Sequence, residues 1–186
     1  MILRACFDVV KARPYSFGVS FGREEKMKKT ASTQRLAISG MVIALYIVIM
    51  YITQGFAFGQ YQVRIATSLY AVAYLFPFLT VPLGLANMLS NLLMGGLGIL
   101  DMIGGGVVGL LTAGCCALIR KKNWDYRLVL LPVTLIVGLG IPVYLSGLLN
   151  VPYWTLALSL LVGQAICGVV GVILVSALKR AGLISK

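Results

Sequence analysis

Two charged side chains stand in this sequence where apolar runs should not tolerate them. Arg64 lies near the start of one such run and Asp101 at the start of another. On insertion scales a charge at the centre of a membrane helix costs roughly 2.5–3.5 kcal/mol, and less towards its ends. The two can pair with each other; alternatively Asp101 accepts hydrogen bonds from the N–H groups of a ligand while Arg64 anchors a loop. Asn87 and Asn91, four residues apart, share a helical face with Ser90 beside them. An amide carries both donors and acceptors, which suits the edge of a heterocyclic base. The same amides also serve as hydrogen bonds between helices, worth about 0.6–2 kcal/mol. Gln60, Tyr61 and Gln62 precede Arg64, next to Phe56 and Phe58, and Asn150, Tyr153 and Trp154 lie on the same expected side. Aromatics at that depth are belt anchors among lipid headgroups or stacking surfaces for a planar ligand. Their coincidence with Gln60, Gln62, Asn91 and Asp101 favours a pocket. Gln164, about mid-depth in the last run, is a secondary candidate.

The missing residue types narrow the chemistry. The chain has no histidine, so it offers no Ser/His or Cys/His couple. Cys6, Cys115, Cys116 and Cys167 form no CxxC pair and read as small hydrophobes rather than ligands for zinc or haem. Asp101 is the only acid within the apolar runs, which argues against a proton relay. A phosphate-binding loop is also absent: Gly22 is followed at the required spacing by Met27, where glycine is needed. We therefore expect no enzyme, no metal and no cofactor. Any energy from ATP would have to come from partner subunits.

The elements that must position these residues are membrane helices. Hydrophobic residues make up 60% of the 186 residues and charged ones 11%, and a chain this small cannot hide that much apolar surface in its own core. Lipid must cover the rest. Six apolar segments are expected as spans, over about 36–53, 61–78, 82–97, 101–119, 128–149 and 152–178. The net charge of +11 is not a nucleic-acid footprint, because the basic residues cluster at the ends of these runs. Lys26, Lys28, Lys29 and Arg35 precede the first, Arg120, Lys121, Lys122 and Arg127 separate the fourth and fifth, and Lys179, Arg180 and Lys186 follow the last. Six spans place all three clusters on one side, so both termini are expected in the cytoplasm. Residues 1–26, with mixed charges, Pro14 and Gly18, are expected to be a disordered extension or a mis-assigned start ahead of Met27. Residues 27–186 are then one six-helix, all-α transmembrane domain. Ala37, Gly40 and Ala44 share one face of the first span, for packing or for contact with another protein. Gly105 and Gly109 favour close packing inside the fourth.

The stretch Gln62-Val63-Arg64-Ile65-Ala66 resembles the "Q-[FV]-R-I" start of the second span in QueT-type membrane proteins. Pro82 to Asn91 (PLGLANMLSN), followed by Gly95 to Asp101 (GGLGILD), resembles their third span and following loop. The resemblance covers about residues 35–180. It implies a substrate-binding S component of an energy-coupling-factor importer in the bacterial cytoplasmic membrane, taking up queuosine precursors of the 7-deazaguanine type. It also implies docking, through the small-residue face of the first helix, onto a transmembrane coupling subunit that works with two cytoplasmic ATPases. Ala37, Gly40 and Ala44 fit that face, although Met41 interrupts it. Where the family commonly reads "R-I-[SA]-E-A-L", this chain has Thr67 in place of the acid, and Asp101 could take over its role. The expected pocket comprises Gln60, Tyr61, Gln62, Arg64, Asn91, Asp101 and Trp154. Two further readings stay open: an S component for riboflavin, thiamine or biotin, and a membrane scaffold without a ligand.

Overall fold

The structure, a computed structural model, describes residues 21–57, 63–94 and 98–181. Within these the chain is helical, with no strand. It divides into two compact units, Met1–Met41 and Val42–Lys186. Helix α1 (Phe21–Ile52) supplies the described part of the first unit and the opening of the second. In the first unit Leu36, Ala37, Gly40 and Met41 are exposed. Of the expected extension 1–26, residues 21–26 belong to α1 and residues 1–20 lie outside the described residues.

The second unit places a 3-10 helix (Ile65–Tyr74) among α2 (Thr80–Leu93), α3 (Ile99–Lys121), α4 (Leu130–Leu149) and α5 (Tyr153–Arg180). The most extensive packing is between α4 and α5 and between α2 and α3, and the 3-10 helix lies chiefly against α5 and α3. Among the described residues, four segments are long and apolar enough to cross a membrane: Ser32–Ile52, Ile99–Lys121, Tyr126–Leu149 and Tyr153–Arg180. The second and third expected spans are shorter, at Ile65–Tyr74 and Pro77–Leu93. The first of these is where the structure departs most from expectation. Residues 61–78 read as one α-helical span, yet the described part is a 3-10 helix broken before Pro77.

Hydrogen bonding at the start of that segment favours the tighter winding of its first turn. The Arg64 carbonyl accepts from the Thr67 amide at 2.9 Å, an i to i+3 bond. It also accepts from Thr67 Oγ1 at 2.7 Å and from Cys167 Sγ at 3.2 Å. With its lone pairs taken, this carbonyl is not available for the i+4 bond that would begin an α-helix. All residues of the segment but Ile65 are buried, as suits a helix that is apolar on every face and enclosed by others. At Gly171 a Cβ would come within 3.1 Å of Ala71 Cβ and 3.2 Å of the Ser68 carbonyl. Only glycine there lets α5 come this close to the 3-10 helix.

The helix ends follow local rules. Gly98, at φ +96, precedes α3 in a conformation that disfavours side chains. Asp101 stands in the first turn of α3 and Arg120 and Lys121 in its last, the signs that complement a helix dipole. Asn150, at φ 52, closes α4 in the left-handed region, and Pro152 leads into α5. The glycines of α3 pack internally as expected. A Cβ at Gly109 would lie 2.8 Å from the Tyr70 hydroxyl, and one at Gly84 3.3 Å from the Gly106 carbonyl.

Candidate functional site

Near the Asp101 end of the bundle, polar groups from four elements converge in an otherwise apolar interior. Arg64, at the head of the 3-10 helix, is 2% exposed, and Asp101, in the first turn of α3, is 3% exposed. Asn91, on α2, joins them. Its Oδ1 accepts from Arg64 Nη1 at 3.2 Å, and its Nδ2 donates to the Asp101 backbone carbonyl at 3.1 Å. Tyr144, on α4, donates its hydroxyl to Asp101 Oδ1 at 3.1 Å. One turn before Asn91, Asn87 Nδ2 donates to the Gly105 carbonyl at 2.6 Å. The Asn87 Oδ1 is buried and has no hydrogen-bond partner among the described residues.

These contacts follow from helical spacing. Asn87 and Asn91 share the face of α2 that meets α3, and Gly105 leaves room for both amides. A second polar layer flanks the first. Thr67 Oγ1 lies 2.8 Å from Gln164 Oε1 on α5, an oxygen that shares the single hydroxyl proton with the Arg64 carbonyl, and the Tyr46 and Tyr70 hydroxyls lie 3.1 Å apart. Thr67, where the resembled pattern has an acid, is thus occupied with Gln164 and the Arg64 carbonyl.

Of the seven expected pocket residues, the structure brings together Arg64, Asn91 and Asp101. Gln60, Tyr61 and Gln62 lie outside the described residues. Trp154 is 71% exposed and packs edge-on against Tyr153 with ring centres 5.3 Å apart. Tyr153 in turn donates to the Leu139 carbonyl at 3.1 Å. Tyr144 is the member that reading the sequence did not single out. The signal was available, since it is a hydroxyl inside an apolar run, the criterion that identified the others.

The cluster offers a carboxylate and amide oxygens as acceptors, and guanidinium, amide and phenol groups as donors. That repertoire can match the edge of a neutral or cationic heterocycle. No group of His, Cys, Asp or Glu able to hold a metal ion occurs among the described residues.

The model of the QueT transporter family matches residues 36–180. The chain belongs to that family. The match takes in α2 to α5, the 3-10 helix and most of α1, and with them every described member of the polar cluster. No curated protein and no solved structure matches the chain. Membership in the QueT family, together with several long apolar helices, makes this a multi-pass membrane protein of a transporter family.

Proposed function

We propose that this QueT-family chain is the substrate-binding component of an energy-coupling-factor importer, and that its cargo is a queuosine precursor with a 7-deazaguanine base. The observation that carries this reading is the buried Arg64–Asn91–Asp101–Tyr144 network. A deazaguanine presents adjacent N–H donors and a carbonyl acceptor on one edge. Asp101 would accept from the N–H groups, Arg64 and Asn91 would meet the carbonyl, and Tyr144 would hold the carboxylate in place. Among the pocket residues expected earlier, Gln60, Tyr61 and Gln62 would close over the base, while Trp154 would anchor the helix at the headgroup level.

The chain would cross the cytoplasmic membrane of a bacterium six times with both termini inside, the two short segments completing the count. It would bind no cofactor, and ATP would be hydrolysed by two ATPase subunits acting through a transmembrane coupling subunit. Ala37, Gly40 and Ala44 are exposed on α1, and a Cβ at Gly40 would meet nothing within 4 Å. A helix of the coupling subunit could approach this face closely. Gly40→Leu should therefore stop co-purification with the coupling subunit while leaving ligand affinity within about twofold, since no cluster residue lies on that face. Retained co-purification would remove this face from the interface.

Calorimetry of the purified chain against queuosine precursors, riboflavin, thiamine and biotin tests the cargo. Tight binding of a deazaguanine base alone is the expected result. Binding of another vitamin would keep the transport role and overturn the cargo, and binding of none would turn the reading towards a scaffold.

A further inference from the structure

The end of α3 opposite Asp101 carries a second site of different chemistry. Nineteen residues separate Asp101 from Arg120, which is about 28 Å at 1.5 Å per residue, close to the thickness of a hydrocarbon core. Here a groove of about 650 Å³ is lined by Pro77, Gly114, Ala117, Leu118, Arg120, Lys121 and Asn123. Its lining is largely apolar, with two basic side chains, Arg120 and Lys121, among the lining residues. Arg120 is fixed in place by Nη1, which donates to the Tyr74 and Leu75 carbonyls at 3.3 and 3.0 Å. Its other nitrogens have no acceptor among the described residues, and neither Arg120 nor Lys121 takes part in an ion pair there. The nearby acid, Asp125, is occupied in capping the next turn through the Arg127 amide at 3.0 Å.

The last carbonyls of α3 are paired with backbone amides of the following turn. Leu118, Ile119 and Arg120 accept from the amides of Lys122, Trp124 and Asn123. Asn123 makes this turn at φ 56. Trp124 is exposed, with the Lys122 ammonium 5.0 Å from its ring centre. An exposed tryptophan beside basic residues at a helix end marks the headgroup level of a bilayer.

We propose that this groove binds an anionic phospholipid, with the phosphate at Arg120 and Lys121 and an acyl chain along Gly114, Ala117 and Leu118. Charge complementarity and depth both select a lipid. A soluble anion would make no use of the apolar lining, and a neutral lipid would make none of the two cations. A basic pocket at the headgroup level, beside further lysines and arginines, is the arrangement that holds acidic headgroups.

Native mass spectrometry of the full chain, in micelles holding equal amounts of phosphatidylglycerol and phosphatidylcholine, tests the proposal. Phosphatidylglycerol should be retained in clear preference. Lys121→Gln should cut that preference about fivefold, the worth of one basic side chain at an acidic surface. Gly114→Leu should abolish it without disturbing the fold, because the nearest atom to a Cβ there is Thr80 Cγ2 at 3.8 Å. Unchanged thermal midpoints for both variants would show that the fold is intact.

Four results would overturn the proposal. The parent chain could show no preference between the lipids. Gly114→Leu could keep the preference of the parent, which would reduce the effect to diffuse charge. Millimolar inorganic phosphate could displace the lipid, which would assign the two basic side chains to a free anion. A Gly114→Leu chain that holds phosphatidylglycerol normally but no longer co-purifies with the coupling subunit would likewise overturn it, and would give the groove to that protein.

Discussion

Asp101→Ala is expected to weaken binding of the deazaguanine ligand about a hundredfold, with the chain still folded. The carboxylate is 3% exposed, so a ligand that meets it does so with little competition from water. Removing one partner from a buried, charge-assisted hydrogen bond costs about 2–5 kcal/mol, and about 3 of these make the hundredfold loss. The fold loses less, because among the described residues Tyr144 alone is left without its side-chain acceptor, at about 1–3 kcal/mol. Adding Tyr144→Phe to Asp101→Ala removes that stranded hydroxyl. The double variant should therefore regain most of the lost thermal stability while its affinity stays low. Asp101→Asn keeps the shape and one acceptor oxygen, and should fall between the parent and the alanine variant. Calorimetry beside a thermal melt reads both quantities. Parent-like affinity in the stable double variant would remove Asp101 from the site.

The sequence located this cluster for a physical reason. A membrane interior penalises polar groups so strongly that Arg64, Asn91 and Asp101 could be singled out one by one, and the structure joins them. The ends of α3 and α5 were legible for the same reason, since Arg120, Lys121, Lys179 and Arg180 fall in their last turns. Tyr144 met the same criterion through its hydroxyl, but a phenol ring is easily counted with the apolar residues around it. The 3-10 winding of Ile65–Tyr74 escaped for another reason. Its first turn depends on a carbonyl shared with Cys167, 103 residues away, and on a Thr67–Gln164 contact spanning 97 residues. No local pattern encodes contacts of that range. Nor does aromatic spacing say which way a ring turns: Trp154 suited a pocket wall by position, yet it is largely exposed.

Those long-range contacts make the site and the bundle interdependent. The 3-10 helix begins at Arg64, whose side chain belongs to the polar cluster and whose carbonyl is held by Thr67 and Cys167. A ligand that draws the guanidinium towards itself therefore pulls on the element at the centre of the second unit. The last residue of that helix, Tyr74, offers its carbonyl to Arg120. One short buried helix thus connects the acid end of α3 to its basic end.

Gly105→Ala tests whether the cluster acts as a unit, since it alters none of the polar side chains. A methyl group at this position would overlap Asn91 Nδ2 and crowd Asn87 Nδ2 at 3.3 Å. The amide of Asn91 must then move. Arg64 would lose an acceptor and the Asp101 carbonyl a donor in one step. One of these bonds involves a charge, worth about 1.5–3 kcal/mol, and the other is neutral, worth about 1 kcal/mol, so the fold should lose roughly 3 kcal/mol. Ligand affinity should fall at least tenfold with it. Shortening the crowded side chain should relieve the overlap, so Gly105→Ala combined with Asn91→Ala should be no less stable than Asn91→Ala alone. The two changes would then be strongly non-additive, as expected of residues in contact. Thermal melts of the four chains in this cycle measure the coupling. Simple additivity would mean that Asn91 is not held against α3, and that the network joining Arg64 to Asp101 does not form.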